Sequence, residues 1–343
     1  RHGRRRGQAF LDGTIGWSGR RPGPGRAVQF DGAGRRVRQL RDEGVAIVMI
    51  SHRMSEMLEI SDRFTVLRDS KFIDTSLRAG VDENWLIERM VLNKPKKAIH
   101  QEKTKTSTEL VLEVKNMTDR NGAFQDISFN LFKGEIVGLA GLAGAGRTEL
   151  VESIVGVRPR SSGDVIVHGQ TVGHTTRASM NAGVVLVPDD RREKSTIHDM
   201  SIRDNLLLSV HGRPQKPRSK RKEEKIIADW VEKFRIKTSN PYAPISSLSG
   251  GNQQKFIVGR EMSKAPSLLV ASHPTRGVDV GAQGAIWEEL RRAREKGMAI
   301  VLISADLEEL IGMSDRLLVM LRGVVTAELD PAKTTPEQLG SAM

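Results

Sequence analysis

A chain of 343 residues with 38% hydrophobic content can bury a core in a domain of about 200 residues, so disorder throughout is excluded. Cysteine is absent, which excludes disulfide frameworks and thiolate metal sites and suits a reducing cytoplasm; no run of 18 apolar residues and no charged-then-apolar leader occurs, so neither membrane spanning nor export is expected. The net charge of +12 invites a nucleic-acid reading, but residues 1–36 carry nine arginines against Asp12 and Asp31 and so supply +7 of it, and no nucleic-acid partner is expected.

Residues 1–36 are rich in Arg, Gly and Pro and show no strand-like apolar run, which predicts disorder or an out-of-frame segment. From there on the chain repeats itself. RQLRDEGVAIVMISHRMSEMLEISDRFTV, Arg38 to Val66, matches RRAREKGMAIVLISADLEELIGMSDRLLV, Arg291 to Val319, at a constant shift of 253 without a gap. The same register carries Met90 onto Met343. Such self-similarity predicts the C-terminal remnant of one domain over 37–92 and a complete copy over 109–343. Between them, 93–108 (NKPKKAIHQEKTKTST) is polar, lysine-rich and reads as a solvated linker.

In the complete copy, strands alternate with helices, the pattern of an α/β domain with a mostly parallel sheet. Strands are predicted at Leu110–Val114, Glu135–Leu139, Val184–Val187, Ser267–Ala271, Ala299–Ser304 and Arg316–Met320. Between Met200 and Ile236 the residues Ile226, Ile227, Trp230, Val231 and Phe234 recur at helical spacing, which predicts a helical insertion. The basic stretch Arg213 to Lys225 reads as a solvated charged loop.

The strand EIVGLA runs directly into Gly141-Leu142-Ala143-Gly144-Ala145-Gly146-Arg147-Thr148 and then an apolar helical run. This fits the phosphate-loop pattern G-x-x-x-x-G-K-[ST] except that Arg147 stands where lysine is expected. Glycines let the backbone wrap an anion so that its N–H groups and the helix N-terminus face the phosphates, and Thr148 is placed to meet Mg²⁺. A dinucleotide loop fits less well, because its third glycine would fall on Glu149. Guanidinium for ammonium is not neutral: the group is broad and planar where a compact charge sits between β- and γ-phosphates.

About a hundred residues later, Leu248-Ser249-Gly250-Gly251-Asn252-Gln253-Gln254-Lys255 places a serine and two glycines at another helix start. In the order GLAGAGRTEL, VPDDRR, LSGGNQQK and PTRGVDVGA, Val37 to Met343 resembles the two-domain ATP-binding subunits of bacterial ABC importers for simple sugars or nucleosides. That resemblance implies a P-loop NTPase fold of ABC type with a helical subdomain, preceded by a truncated copy of the same fold. It also implies ATP and Mg²⁺ as ligands, and transmembrane permease subunits and a solute-binding protein as partners. A second ABC domain or dimer partner is implied, because each ATP lies between the P-loop of one domain and the signature (Ser249, Gly250, Gly251) of the other. A peripheral place on the cytoplasmic face of the membrane follows from the same likeness. Asp279 corresponds to the residue that communicates across the dimer, and Asp189 lies where a glutamine facing the permease is usual.

The departures bear on catalysis. Ser272 and His273 occupy the places of the Mg²⁺-binding Asp and the water-positioning Glu, and Ala305 replaces the switch histidine, which the first copy keeps as His52. With these groups lost, binding of ATP without efficient hydrolysis is expected. Two other readings stand beside this one: a non-functional fragment of such a subunit, and a soluble ABC ATPase. The stretches ASHPTRGVDVGA and ISADLEEL lean toward the nucleoside branch.

Overall fold

The computed structural model describes residues 9–12, 14–16, 37–50, 54–68, 71–90, 107–191, 193–211, 220–234, 236–238 and 240–343. They fall into two compact units, Arg1–Pro95 and Lys96–Met343. The expected linker, apart from its last residues, lies outside the described residues, as does most of the segment 1–36.

In the first unit, two strands break the expectation of no strand before residue 37. β1 (Ala9–Asp12) pairs antiparallel with β2 (Thr14–Gly16) and parallel with β3 (Ile47–Ile50). A sheet edge leaves main-chain groups open to any extended segment, whatever its wider composition, and AFLD is apolar enough to take that place.

The remaining elements of the unit are α1 (residues 37–42), α2 (Met54–Ile60), β4 (Arg63–Arg68), β5 (Lys71–Leu77), a 3₁₀ turn at Arg78–Gly80 and α3 (Glu83–Met90). Phe64, Val66, Val81 and Leu86 form its small core.

In the second unit a six-stranded sheet has the order β11-β12-β13-β8-β14-β15. Its strands are β8 (Ile136–Ala140), β11 (Val184–Val187), β12 (Leu268–Ser272), β13 (Ala299–Ile303), β14 (Arg316–Leu321) and β15 (Val324–Leu329). All neighbours are parallel except β14 and β15. Every residue of β8, β12 and β13 is buried, as a strand covered on both faces requires.

One face carries α4 (Arg147–Ile154) and a second, antiparallel sheet of order β10-β9-β6-β7. That sheet is built from β6 (Leu110–Asp119), β7 (Ile127–Phe132), β9 (Arg160–Val167) and β10 (Gln170–Thr171). Leu112, Leu131, Val137, Leu139, Leu150, Val270 and Val301 fill the layer between them. The sequence expectation found only the start of this sheet, because ISFNLF alternates buried and exposed residues and β9 mixes them, neither running apolar.

The opposite face carries helices. Among them are α6 (Ile202–His211), α7 (Lys220–Lys233), α8 (Gly250–Met262), α9 (Val280–Glu295), α10 (Leu307–Met313) and α11 (Pro336–Ala342), with α5 (Thr176–Asn181) leading into β11. The helical insertion expected over Met200–Ile236 is α6 and α7. Trp230 packs on Phe234 and edge-on against Phe256, with ring centroids 5.2 and 4.8 Å apart. The loop expected at Arg213–Lys225 is overturned at its end, since Lys220–Lys225 open α7. Lys, Arg and Glu are good helix formers, and the Ile227/Trp230/Phe234 stripe supplies the apolar face that holds them in place. The unit is thus an α/β domain with a mostly parallel central sheet and a helical subdomain, as expected.

At the sequence shift of 253, α2 falls on α10, β4 on β14 and the 3₁₀ turn on a 3₁₀ turn at Pro331–Lys333, each with matching bounds. The β4/β5 hairpin has its register break between Val66 and Leu67, and β14/β15 has one between Val319 and Met320. Burial is where the two differ: Val48 and Leu67 are 53% and 67% exposed, whereas their counterparts Val301 and Met320 are fully buried.

Among the described residues, no helix is long and apolar enough to cross a membrane.

Candidate functional site

The phosphate-loop residues Gly141–Gly146 join β8 to α4, with Leu142, Ala143 and Gly144 exposed at the tip and Ala145 and Gly146 buried beneath. Gly146 precedes α4 at φ +93°, and no side chain caps the helix, so its first N–H groups stay available to an anion. A Cβ on Gly146 would stand 2.4 Å from the carbonyl oxygen of Ala123, so the turn after β6 lies directly against the loop.

Asp119 shapes that turn. It is buried, accepts from the N–H groups of Asn121 and Ala123 at 3.1 and 2.9 Å, and receives Nε and Nη2 of Arg158 at 2.7 and 2.9 Å. The Arg158 guanidinium, chiefly, holds its carboxyl down to about 2. A depressed carboxylate adds stability above its unfolded value and loses it as pH falls through the folded one. Asp119→Asn is therefore expected to lower stability by about 2 kcal/mol at pH 7, and by progressively less as pH falls below about 4. Urea unfolding at several pH values checks this; a loss that does not shrink on acidification contradicts it.

Arg147 and Thr148 are half-buried in the first turn of α4. Arg147 turns inward: its Nη1 donates to the carbonyls of Leu139 at 3.4 Å and Ser304 at 3.1 Å, at the ends of β8 and just beyond β13. Burial lowers its proton affinity, with Glu149 opposing.

His273 follows β12 at φ +50°, its N–H bonded to the carbonyl of Ile303 at 2.8 Å. Burial lowers its imidazole pKa first, and Arg147 and Arg276 add to that while Asp189 opposes, so the ring is neutral at pH 7. Ser272 is 2% exposed, and among the described residues its Oγ has no hydrogen-bond partner. The P-loop, the tips of β12 and β13 and Asp189 thus form one neighbourhood. Lys194 fastens it from outside, donating to Glu152 of α4 at 3.0 Å and to Asp189 at 3.1 Å.

The signature residues lie in a second cluster. Ser249 caps α8, accepting from the Asn252 N–H at 3.4 Å and Asn252 Nδ2 at 3.0 Å. Asp279 caps α9, accepting from the Ala282 N–H at 2.9 Å, and a Cβ on Gly251 would meet its Oδ2 at 2.9 Å. Arg191 reaches this cluster from the VPDDRR segment: Nη1 donates to the carbonyls of Arg276 and Gly277 at 3.3 and 3.4 Å, and its guanidinium lies against Gly250. Among the described residues, no hydrogen bond joins Ser249–Gly251 to the P-loop. His52 lies outside the described residues.

Sequence reasoning missed Glu309, a fully buried carboxylate in α10. It accepts from Thr275 Oγ1 at 2.8 Å, from Trp287 Nε1 at 2.6 Å and from Ser304 Oγ, joining the segment after β12, α9 and the end of β13. Only its position among charged neighbours in ADLEEL was visible in sequence.

Residues 124–276 match the profile of the ABC transporter family. The chain carries an ABC-transporter ATP-binding domain. Its similarity extends to the ribose import ATP-binding protein RbsA of Oceanobacillus iheyensis, 37% identical over 307 residues. The galactose/methyl galactoside import ATP-binding protein MglA of Escherichia coli K12 is also 37% identical, over 308 residues. In both cases 88% of this chain is covered but 61% of the relative, so the chain spans about three fifths of their length. In fold, the ABC domain is similar to a nucleotide-free ATP-binding cassette from an ABC transporter, with TM-score 0.58 and 21% identity over 68% of this chain and 94% of that one. It is also similar to the dimeric, ADP- and Pi-bound cassette MJ0796, with TM-score 0.57 and 19% identity over 64% of this chain and 98% of that one.

The family implies Mg²⁺ beside the nucleotide. Mg²⁺ is bound through one or two carboxylates together with phosphates and waters. The tip of β12 offers a buried serine and a neutral histidine instead, and Asp189 is paired with Lys194. Thr148, the residue expected to meet Mg²⁺, does not by itself make the donor set that Mg²⁺ takes.

Proposed function

We propose that this chain is part of the ATP-binding, energy-coupling subunit of a bacterial ABC importer for a simple sugar or a nucleoside. Residues 109–343 are its second nucleotide-binding domain, and residues 37–92 are the C-terminal portion of a first. Support for the latter comes from the sequence repeat and from the shared element bounds and hairpin register at a shift of 253. Its partners are permease subunits, a solute-binding protein and a second ABC domain, and its place is the cytoplasmic face of the membrane. No nucleic acid is involved.

ATP binds along Gly141–Thr148, with Ser249, Gly250, Gly251 and Asp279 presented to a P-loop on another domain. The observation that carries the mechanistic part is the neighbourhood of Arg147, Ser272 and His273. Phosphoryl transfer depends on positioning and charge stabilisation, and no carboxylate at the tip of β12 is placed to orient an attacking water. Ala305 leaves the end of β13 without an imidazole for the γ-phosphate.

The purified chain is therefore expected to bind ATP while releasing phosphate far more slowly than about 1 s⁻¹, the lower end of ordinary enzyme turnover. A phosphate-release assay decides, and turnover at or above that rate rejects the reading.

The exposure of Val48, Leu67 and Phe72 favours a second reading, in which the chain is a non-functional fragment. A sharp thermal unfolding transition with nucleotide-dependent stabilisation speaks for the folded module; a broad transition indifferent to nucleotide speaks for the fragment.

A further inference from the structure

Two observations at the end of β12 point beyond weak hydrolysis to the ionic form in which the nucleotide is held. The first is the side on which Ser272 lies. Along β12 the side chains alternate, with Leu268 and Val270 in the layer that includes Ala145 and Leu150, and Leu269 and Ala271 in the layer of helices. By that alternation Ser272 faces the P-loop side. Ser272 is buried there, at 2% exposure, and among the described residues its hydroxyl is unpartnered, although a buried polar group ordinarily finds a partner.

The second is the sign of the charge around it. Arg147 and Arg276 both act on His273, and Asp189, the one acid acting on it, is bonded to Lys194. On α4, Glu152 is bonded to the same lysine, while Glu149 in the first turn acts on Arg147. Glu309 is occupied by Thr275, Trp287 and Ser304. The place where a metal carboxylate would stand therefore carries a neutral hydroxyl, and the residue beside it, His273, feels two guanidinium groups and only one acid, itself paired with Lys194.

A hydrated Mg²⁺ arriving on the phosphates would meet no carboxylate and would compete with Arg147 for phosphate charge. A metal-free triphosphate meets the same guanidinium with its full negative charge, and the buried Ser272 hydroxyl supplies a neutral donor that costs nothing in repulsion.

We infer that this site takes its nucleotide as the metal-free polyphosphate anion, with Arg147 serving in place of the cation. The inference rests on the proposed nucleotide binding at Gly141–Thr148 and specifies its ligand.

The test is a fluorescence titration of the whole chain with N-methylanthraniloyl-ATP, once in EDTA and once in excess Mg²⁺. Binding in EDTA is expected to equal that in Mg²⁺ or to exceed it by up to about tenfold. Binding that tightens on adding Mg²⁺ overturns the inference while leaving nucleotide binding intact. Absence of binding in both overturns the nucleotide reading itself and the inference with it.

Ser272→Asp is expected to reverse the preference, so that Mg²⁺ tightens binding; an unchanged preference in a folded variant overturns the assignment. Should the buried aspartate unfold the chain by circular dichroism, Arg147→Ala, which removes the cation assigned to the phosphates, is expected to weaken binding in EDTA more than binding in Mg²⁺; equal weakening in both overturns the assignment.

Discussion

Alanine at position 309 is expected to lower the stability of the ABC domain by about 3 kcal/mol or more, among the largest effects of any single substitution in it. Glu309 is fully buried and receives three side-chain donors from three separate segments. Truncation leaves Thr275, Trp287 and Ser304 without their acceptor and opens a cavity beneath the segment that carries Asp279.

Burial pushes the Glu309 carboxyl above the usual range, against the pull of its three donors and with Asp306 adding to the rise. A raised carboxyl contributes stability below its unfolded value, near 4.5, and loses it as pH rises through the folded one. Glutamine keeps the shape and does not titrate. The stability of the wild-type chain relative to Glu309→Gln is therefore expected to decline as pH rises above about 4.5. Urea unfolding of wild type, Glu309→Ala and Glu309→Gln across that range measures both effects. An alanine variant within 1 kcal/mol of wild type, roughly the worth of one ordinary hydrogen bond, would show that the three donors find other partners.

Gly146→Ala is the second substitution with a large expected effect, and it separates two physical costs. Gly146 sits at φ +93° and its Cβ would fall 2.4 Å from a backbone oxygen, whereas Gly144 sits at φ +81° with nothing within 4 Å of its Cβ. Left-handed backbone alone costs an alanine about 1 kcal/mol, which is all that Gly144→Ala is expected to lose. At Gly146 the carbonyl of Ala123 belongs to a turn held by Asp119 and cannot yield cheaply. The loss there is expected to reach about 3 kcal/mol, as overpacking adds to strain, with nucleotide affinity falling about tenfold or more as the loop is displaced. Unfolding curves and nucleotide titrations of the two variants side by side decide. Equal stability of the two would mean that the close approach carries no energy.

These variants also mark where sequence reasoning reached its limit. The phosphate loop, the signature and the repeat lie in contiguous residues whose types are dictated locally: glycine where the backbone must turn against an anion, apolar runs where a strand is covered on both faces. The strands of the parallel sheet were legible for that reason, to within a residue or two at most ends. The antiparallel sheet was not, apart from the start of β6, because β7 and β9 mix buried and exposed residues instead of running apolar, and β6 finds β9 only across a long stretch of chain. The positions of β1 and β2 depended on an open main-chain edge rather than on composition.

By itself, the sequence determined the P-loop domain, its signature, the repeated segment and the loss of carboxylates at Ser272 and His273. Tertiary structure alone decided that Arg147 points inward to two carbonyls, that Asp119 supports the turn beneath Gly146 and that Glu309 joins three segments. It also decided that Asp189 and Glu152 are paired with Lys194. The reason is physical: glycines and strand runs act through local conformation, which residue order encodes directly. The charge that a phosphate meets is the sum over side chains brought together from distant positions, and burial and pairing set that sum only once the chain has folded.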